Sequence, residues 1–204
     1  MIPVFYRSEQ SSTAAVDFSP SAGKPSLVLA DWGSHPEIAQ HIQIKSFAPA
    51  SNEILFGAHD PIYVKGVLSG KIANGFGTTS SAIANTLRYT VGSLVAAATH
   101  VLSAPHGSGL QVAVSPTSGF HHAGYDFGGG FCTFNGLLAA AKQVHAFGLA
   151  KRILILDLDQ HYGNGSDDII EKLGMDYVEH ITATQPYRTA AQALAASKLF
   201  SIYA

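Results

Sequence analysis

Two short stretches hold the side chains best suited to chemistry. Residues 119–132 read GFHHAGYDFGGGFC, with adjacent His121 and His122, five glycines and the single cysteine of the chain, Cys132. Residues 153–165 read ILILDLDQHYGNG, with Asp157, Asp159 and His161 spaced two apart behind an apolar run. Strand side chains alternate faces, so while the backbone stays extended these three point the same way. Two carboxylates side by side repel, and a cation relieves the repulsion. A carboxylate–imidazole set at this spacing suits a divalent metal, zinc among others. D-x-D alone is a common polar strand end. D-x-D-x-H-x-G-x-G directly after an apolar strand is far more specific.

The histidine pair admits three readings: a base, a metal site, or the partner of Cys132. As a base pair, one imidazole takes a proton from water while the other stays charged to stabilise an oxyanion. Each then needs a carboxylate or amide behind it to fix its tautomer, and Asp157 and Asn164 are available. As a structural pair, the two rings simply bond loop carbonyls. Gly119 and Gly124 permit the backbone to curl around the pair, and Gly163 and Gly165 permit a sharp turn after His161. Gly128, Gly129 and Gly130 allow a substrate chain to come close, and Phe131 lines a narrow channel beside them; both features also occur in ordinary loops and cores. Cys132 offers a thiol nucleophile, although a lone cysteine is more often a small buried hydrophobe.

These residues need elements to hold them. MIPVFYR at the start and SLVLADW (26–32) read as strands. SHPEIAQHIQI reads as a helix start with Ser34 as N-cap and Pro36 early. From Ser81 to about Leu102, Ile83, Leu87, Val91, Leu94, Val95, Ala98 and Val101 recur at spacings of three and four, the stripe of a long helix. LQVAVSP (110–116) reads as a strand, and Phe134 to Phe147 as a helix ended by Gly148. RILILDLD (152–159) reads as a strand buried on both faces, whose carboxyl end is where ligands bind in open α/β sheets. SDDIIEKLG (166–174) reads as a helix capped by Ser166 and closed by Gly174. YVEHITAT (177–184) reads as a further strand. Strands alternating with helices predict an α/β sandwich with a central, mainly parallel sheet.

The bulk numbers fit one domain. The chain has 204 residues, 47% hydrophobic and 13% charged, a formal charge of -2 and a pI of about 6.5. No basic field exists to hold nucleic acid. A lone cysteine excludes an internal disulfide and fits a reducing compartment. The N-terminus lacks the pattern of a secretory signal, and no run approaches the roughly 20 apolar residues of a membrane span. The expectation is a cytoplasmic protein without nucleic-acid or membrane partners. Of the ten histidines, His41, His59 and His145 read as scattered surface or capping residues.

Together, in this order and separated by one helix, GFHHAGYDFGGGFCTFNGLLAA and ILILDLDQHYGNG resemble the zinc-dependent histone deacetylase and acetylpolyamine amidohydrolase superfamily. HPEIAQHI and AHDPIYVKGVLSG add weaker support. The resemblance implies a three-layer α/β/α sandwich of the arginase/deacetylase type and hydrolysis of an N-acetyl amide on lysine or a polyamine. It implies zinc held by Asp159 and His161, and tandem catalytic histidines His121 and His122 backed by Asp157 and Asn164. It also implies a monovalent cation near Asp157 and a channel lined by Gly130 and Phe131. The family carries a third zinc-ligating aspartate and a carbonyl-polarising tyrosine further downstream; neither motif follows Gly165. Asp176 and Glu179 are the only late acidic candidates past the short helix. The expectation is therefore a single deacetylase-like domain over 1–204 that lacks the family's C-terminal part, with weakened activity. The alternative is a non-catalytic piece that binds metal or ligand or serves in assembly. The apolar ending at Leu199, Phe200, Ile202 and Tyr203 favours self-association into a homo-oligomer.

Overall fold

In a computed structural model, residues 1–12, 20–105, 109 and 111–182 are described. The elements run β1 (Ile2–Phe5), α1 (Lys24–Ser34), α2 (Pro36–Ala39), β2 (Ile42–Lys45), α3 (Asn52–Phe56), α4 (Pro61–Leu68), α5 (Ser81–Leu102), α6 (Gly136–Ala146), β3 (Ile153–Leu156), α7 (Asn164–Leu173) and β4 (Val178–Ile181). The fold is α/β, and both strand ladders are parallel: β1 with β2, and β3 with β4. Val114 bridges Val4 on the opposite edge of β1 from β2, through Val114 N to Pro3 O and Phe5 N to Val114 O.

Local signals explain most helices. Ser80 caps α5 by accepting from the Ile83 N–H, and Ile83, Leu87, Val91 and Val95 are buried along its stripe. Asp60 accepts from the Ile62 and Tyr63 N–H groups, with Pro61 just inside α4. Asn135 caps α6, which packs beside α5. Gly174 closes α7 in the left-handed region at φ 57°. Leu55, Val64, Val91, Phe134, Leu138 and Ile169 form the centre of the core. No helix among the described residues is long and apolar enough to cross a membrane.

Several expectations are corrected. Residues 26–32 are not a strand but lie within α1. A short apolar run is ambiguous between strand and helix, and Pro25 in the first turn sets the helical φ. Ser34 does not cap a helix; it ends α1, and His35 precedes the short α2. Among the described residues of the strand expected at 110–116, only Val114 pairs, since Pro116 has no N–H and its carbonyl is taken by Gln10 Nε2. Ser166 does not cap α7: Gly163 holds that position, and Ser166 is buried in the first turn. β3 is fully buried only at Ile155. His59 is not a surface residue but has 0% exposure. The apolar ending falls outside the described residues.

Candidate active site

Asp157 is placed by the sheet. Ile155 pairs with His180 and Leu156 with Ile181, and the Asp157 N–H donates to Ile181 O at 2.8 Å, extending the ladder one step. Alternation therefore puts Ile155, Asp157, His180 and Thr182 on one face. The chain then leaves the strand. The Asp159 N–H donates to Asp157 Oδ1 at 3.0 Å, and the His161 N–H to Asp159 Oδ1 at 2.8 Å. Asp159 and His161 thus return to the site through turns, not through strand alternation.

Loop 119–135 brings the histidine pair. The His121 carbonyl accepts from the Gly165 and Ser166 N–H groups at the start of α7, at 2.9 and 3.1 Å. A Cβ on Gly165 would lie 2.4 Å from the His122 carbonyl carbon, so this glycine is needed for close approach. Neither Gly163 nor Gly165 has a positive φ, and neither do Gly119 and Gly124. A Cβ on Gly124 would lie 2.8 Å from Asp168 Oδ2, which accepts from the Tyr125 N–H. Close contact, not turn freedom, selects glycine there.

Both expected partners are found. His121 Nδ1 lies 2.6 Å from Asp157 Oδ2, and His122 Nδ1 lies 2.7 Å from Asn164 Oδ1. A carboxylate or amide oxygen only accepts, so each ring donates from Nδ1 and turns Nε2 away from its partner. The ring centroids of His121 and His122 are 4.1 Å apart, and His161 lies 5.9 Å from His122. The hydrogen bond to Asp157 raises the pKa of His121. Burial alone would raise the Asp157 carboxyl, but the hydrogen bond from His121 and the nearby His180 imidazole more than offset it and hold it well below the usual carboxylate range.

Asp159 Oδ1 and His161 Nδ1 converge to 2.9 Å at the half-exposed edge of this cluster. As placed the two share a hydrogen bond, closer than the about 3.3 Å between two ligands of a tetrahedral zinc, so the pair fits such an ion in kind and would open slightly to hold it. Among the described residues no group of three His, Cys, Asp or Glu side chains forms a metal shell. Glu179 does not supply the missing donor; it faces the other side of β4, toward Arg152. A monovalent cation fits Asp157 less well. Its oxygens already face His121, the Thr182 hydroxyl at 3.3 Å and the Asp159 N–H, and the His180 imidazole stands at 3.9 Å.

The glycine loop shapes the approach. Gly130 has φ 54°, and a Cβ there would lie 2.4 Å from His122 Cδ2. Phe131 also has a positive φ of 64°, fixed by its N–H donating to Gly75 O, and its ring lies 6.0 Å from Phe76. Cys132 is buried beside this loop, and burial pushes its thiol up to about 11. A protonated, buried thiol does not serve as a nucleophile.

The Histone deacetylase domain family matches residues 22–185. The chain belongs to this family. It is 36% identical over 119 residues to an uncharacterized protein of Picosynechococcus, a match covering 55% of this chain and 37% of that protein. It is 48% identical over 54 residues to an acetylpolyamine amidohydrolase of Mycoplana ramosa, covering 26% of this chain and 16% of that protein. The HDA15 HD domain superposes with a TM-score of 0.72 at 20% identity, covering 89% of this chain and 52% of that one. The last comparison establishes the fold alone. In all three cases the chain spans less than two thirds of the other protein's length.

Within this histone deacetylase-family chain, three supporting residues carried no local signal in the sequence. His180 reaches Asp157 from β4, and Thr182 from the residue just past it. His59, on the loop before α4, pins the site loop from below. Its Nδ1 meets Gly124 O at 2.8 Å, and Nε2 accepts from the Asn135 N–H at 2.7 Å. Strand alternation applied to VEHIT, together with the register against β3, would have marked His180; nothing local marks His59.

Proposed function

We propose that this chain is a zinc-dependent amidohydrolase that removes N-acetyl groups from acetyl-lysine or from an acetylated small amine of the polyamine kind. The supporting observation is one juxtaposition: the His121–Asp157 and His122–Asn164 pairs stand side by side, next to Asp159 and His161. Asp159 and His161 would hold the zinc, which when bound supplies Lewis acidity for the acetyl carbonyl and for water. The further donors of a complete shell lie beyond these two side chains.

The two histidines have different partners and hence different work. Asp157 is a carboxylate that holds a proton on His121, so His121 faces the developing oxyanion as a cation. Asn164 is neutral. It fixes the His122 tautomer with Nε2 free, and that nitrogen takes the proton of the attacking water and returns it to the leaving amine. Gly130 gives the acyl-bearing chain bare backbone beside His122, and Phe131 and Phe76 wall the approach.

Metal content of the purified chain, with Asp159→Ala as control, tests this together with turnover of acetyl-lysine and acetylpolyamine substrates. About one zinc per chain, lost in the variant, and turnover that a chelator abolishes are expected. No zinc above the control and no turnover would overturn the reading in favour of a non-catalytic family member.

A further inference from the structure

A second histidine stands behind Asp157, and the mechanism above leaves it unused. The His180 side chain is 2% exposed. Its Nδ1 lies 2.7 Å from Asp167 Oδ1, so that nitrogen donates and Nε2 is turned inward. Nε2 is buried without a hydrogen-bond partner among the described residues, and it lies 3.9 Å from Asp157 Oδ2. That is ion-pair distance, just beyond hydrogen bonding. The 163 backbone closes over both groups: a Cβ on Gly163 would lie 2.8 Å from His180 Cε1 and 2.9 Å from Asp157 Oδ2. Asp167, on the first turn of α7, is 40% exposed, so the series Asp167–His180–Asp157–His121 runs from solvent to the histidine pair.

We propose that His180 is a positioning residue for His121, acting through Asp157. A carboxylate torsion is broad and two-fold, so Asp157 needs contacts from behind to keep Oδ2 on His121. The Thr182 hydroxyl supplies one, at 3.3 Å, and itself accepts from the Gly163 N–H at 2.8 Å. His180 supplies the other: protonated on both nitrogens, it sets a positive charge 3.9 Å from the same oxygen, and Asp167 fixes its ring orientation as a carboxylate behind a ligating histidine does in metal sites. This role rests on the reading of His121 as a working group of a hydrolase, but its effect on His121 is measurable without turnover.

The test uses the full chain with 15N-labelled histidine. His180→Phe keeps an aromatic ring, somewhat larger, and removes both nitrogens. His180→Gln keeps a donor near the place of Nε2. Asp167→Ala removes the outer partner from the exposed end. The readout is solvent exchange of the His121 Nδ1 proton, with backbone amides of α5 as the folding control. Exchange about tenfold faster in His180→Phe, a smaller change in Asp167→Ala, and recovery in His180→Gln are expected. Where substrate turns over, kcat falls about tenfold in His180→Phe with KM unchanged. Unchanged exchange in both His180→Phe and Asp167→Ala overturns the proposal. If His180→Phe does not fold, Asp167→Ala decides. Accelerated exchange in a chain that shows no turnover supports the positioning role and removes the hydrolase reading.

Discussion

Replacing His59 separates two contributions that one buried imidazole makes to stability. The ring donates to Gly124 O and accepts from the Asn135 N–H, so only the neutral form satisfies both neighbours. His59→Leu leaves a carbonyl and an N–H buried and unpaired. At about 1–3 kcal/mol each, the loss is about 2–6 kcal/mol, a large share of the roughly 5–15 kcal/mol of a typical domain. The second contribution depends on pH. Burial pushes His59 down to about 4, from an ordinary value of 6.5. The folded state therefore disfavours the proton. Stability from His59 is complete above pH 6.5 and is lost as pH falls from 6.5 toward 4. Between pH 7 and pH 5 the loss is about 2 kcal/mol. His121 and His180 are raised and run the opposite way: what they contribute is present below the unfolded pKa and is lost as pH rises. Both are common to wild type and His59→Gln, so the difference between these proteins isolates His59. Urea unfolding followed by circular dichroism at pH 7 and pH 5 measures it. Equal losses in wild type and His59→Gln would refute the assignment of a buried neutral imidazole.

Two further outcomes follow from the loop. Gly130→Ala places a methyl against the His122 ring at a φ of 54°, so it is expected to cost about 1–3 kcal/mol and to displace His122; thermal melting and the His122 ring resonances check this. Cys132 is expected to react slowly with iodoacetamide at pH 8, with a thiol pushed up to about 11, and Cys132→Ala to keep any turnover; rapid labelling that abolished activity would restore the thiol mechanism.

The grouping of the candidate site residues is more legible in the sequence than what supports them. Asp157, Asp159 and His161 stand two apart, and the hydrogen bonds that gather them span two residues. Local spacing therefore carried the right grouping, although the strand ends at Leu156 and turns do the work. The partners of His121 and His122 are legible because an imidazole pair drawn in from solvent needs acceptors, and few are at hand. Gly163 and Gly165 are close-approach positions, a fact set by residues far away in sequence. The short apolar run of α1 fits either period, and Pro25 is the one local mark of the helix. His59 lay beyond local reasoning altogether, since what buries it is the loop at Gly124 and the start of α6.

The asymmetry between the two histidines bears on which surroundings the family's chemistry requires. His121 has a carboxylate behind it, and that carboxylate is met by Thr182, His180 and the Asp159 N–H. His122 has one neutral amide, and its ring lies beside the bare backbone of Gly130. A group that must remain charged through the reaction gains from a deep, fixed counter-charge. A group that must take a proton and give it back is hindered by one, because stabilising its cation opposes the return. A carboxylate in place of Asn164 would strengthen the hold of His122 on its proton, so Asn164→Asp is expected to move the acidic limb of any rate–pH profile upward. A profile unmoved by that substitution would mean that His122 does not cycle its proton, and the roles of the two rings would have to be exchanged.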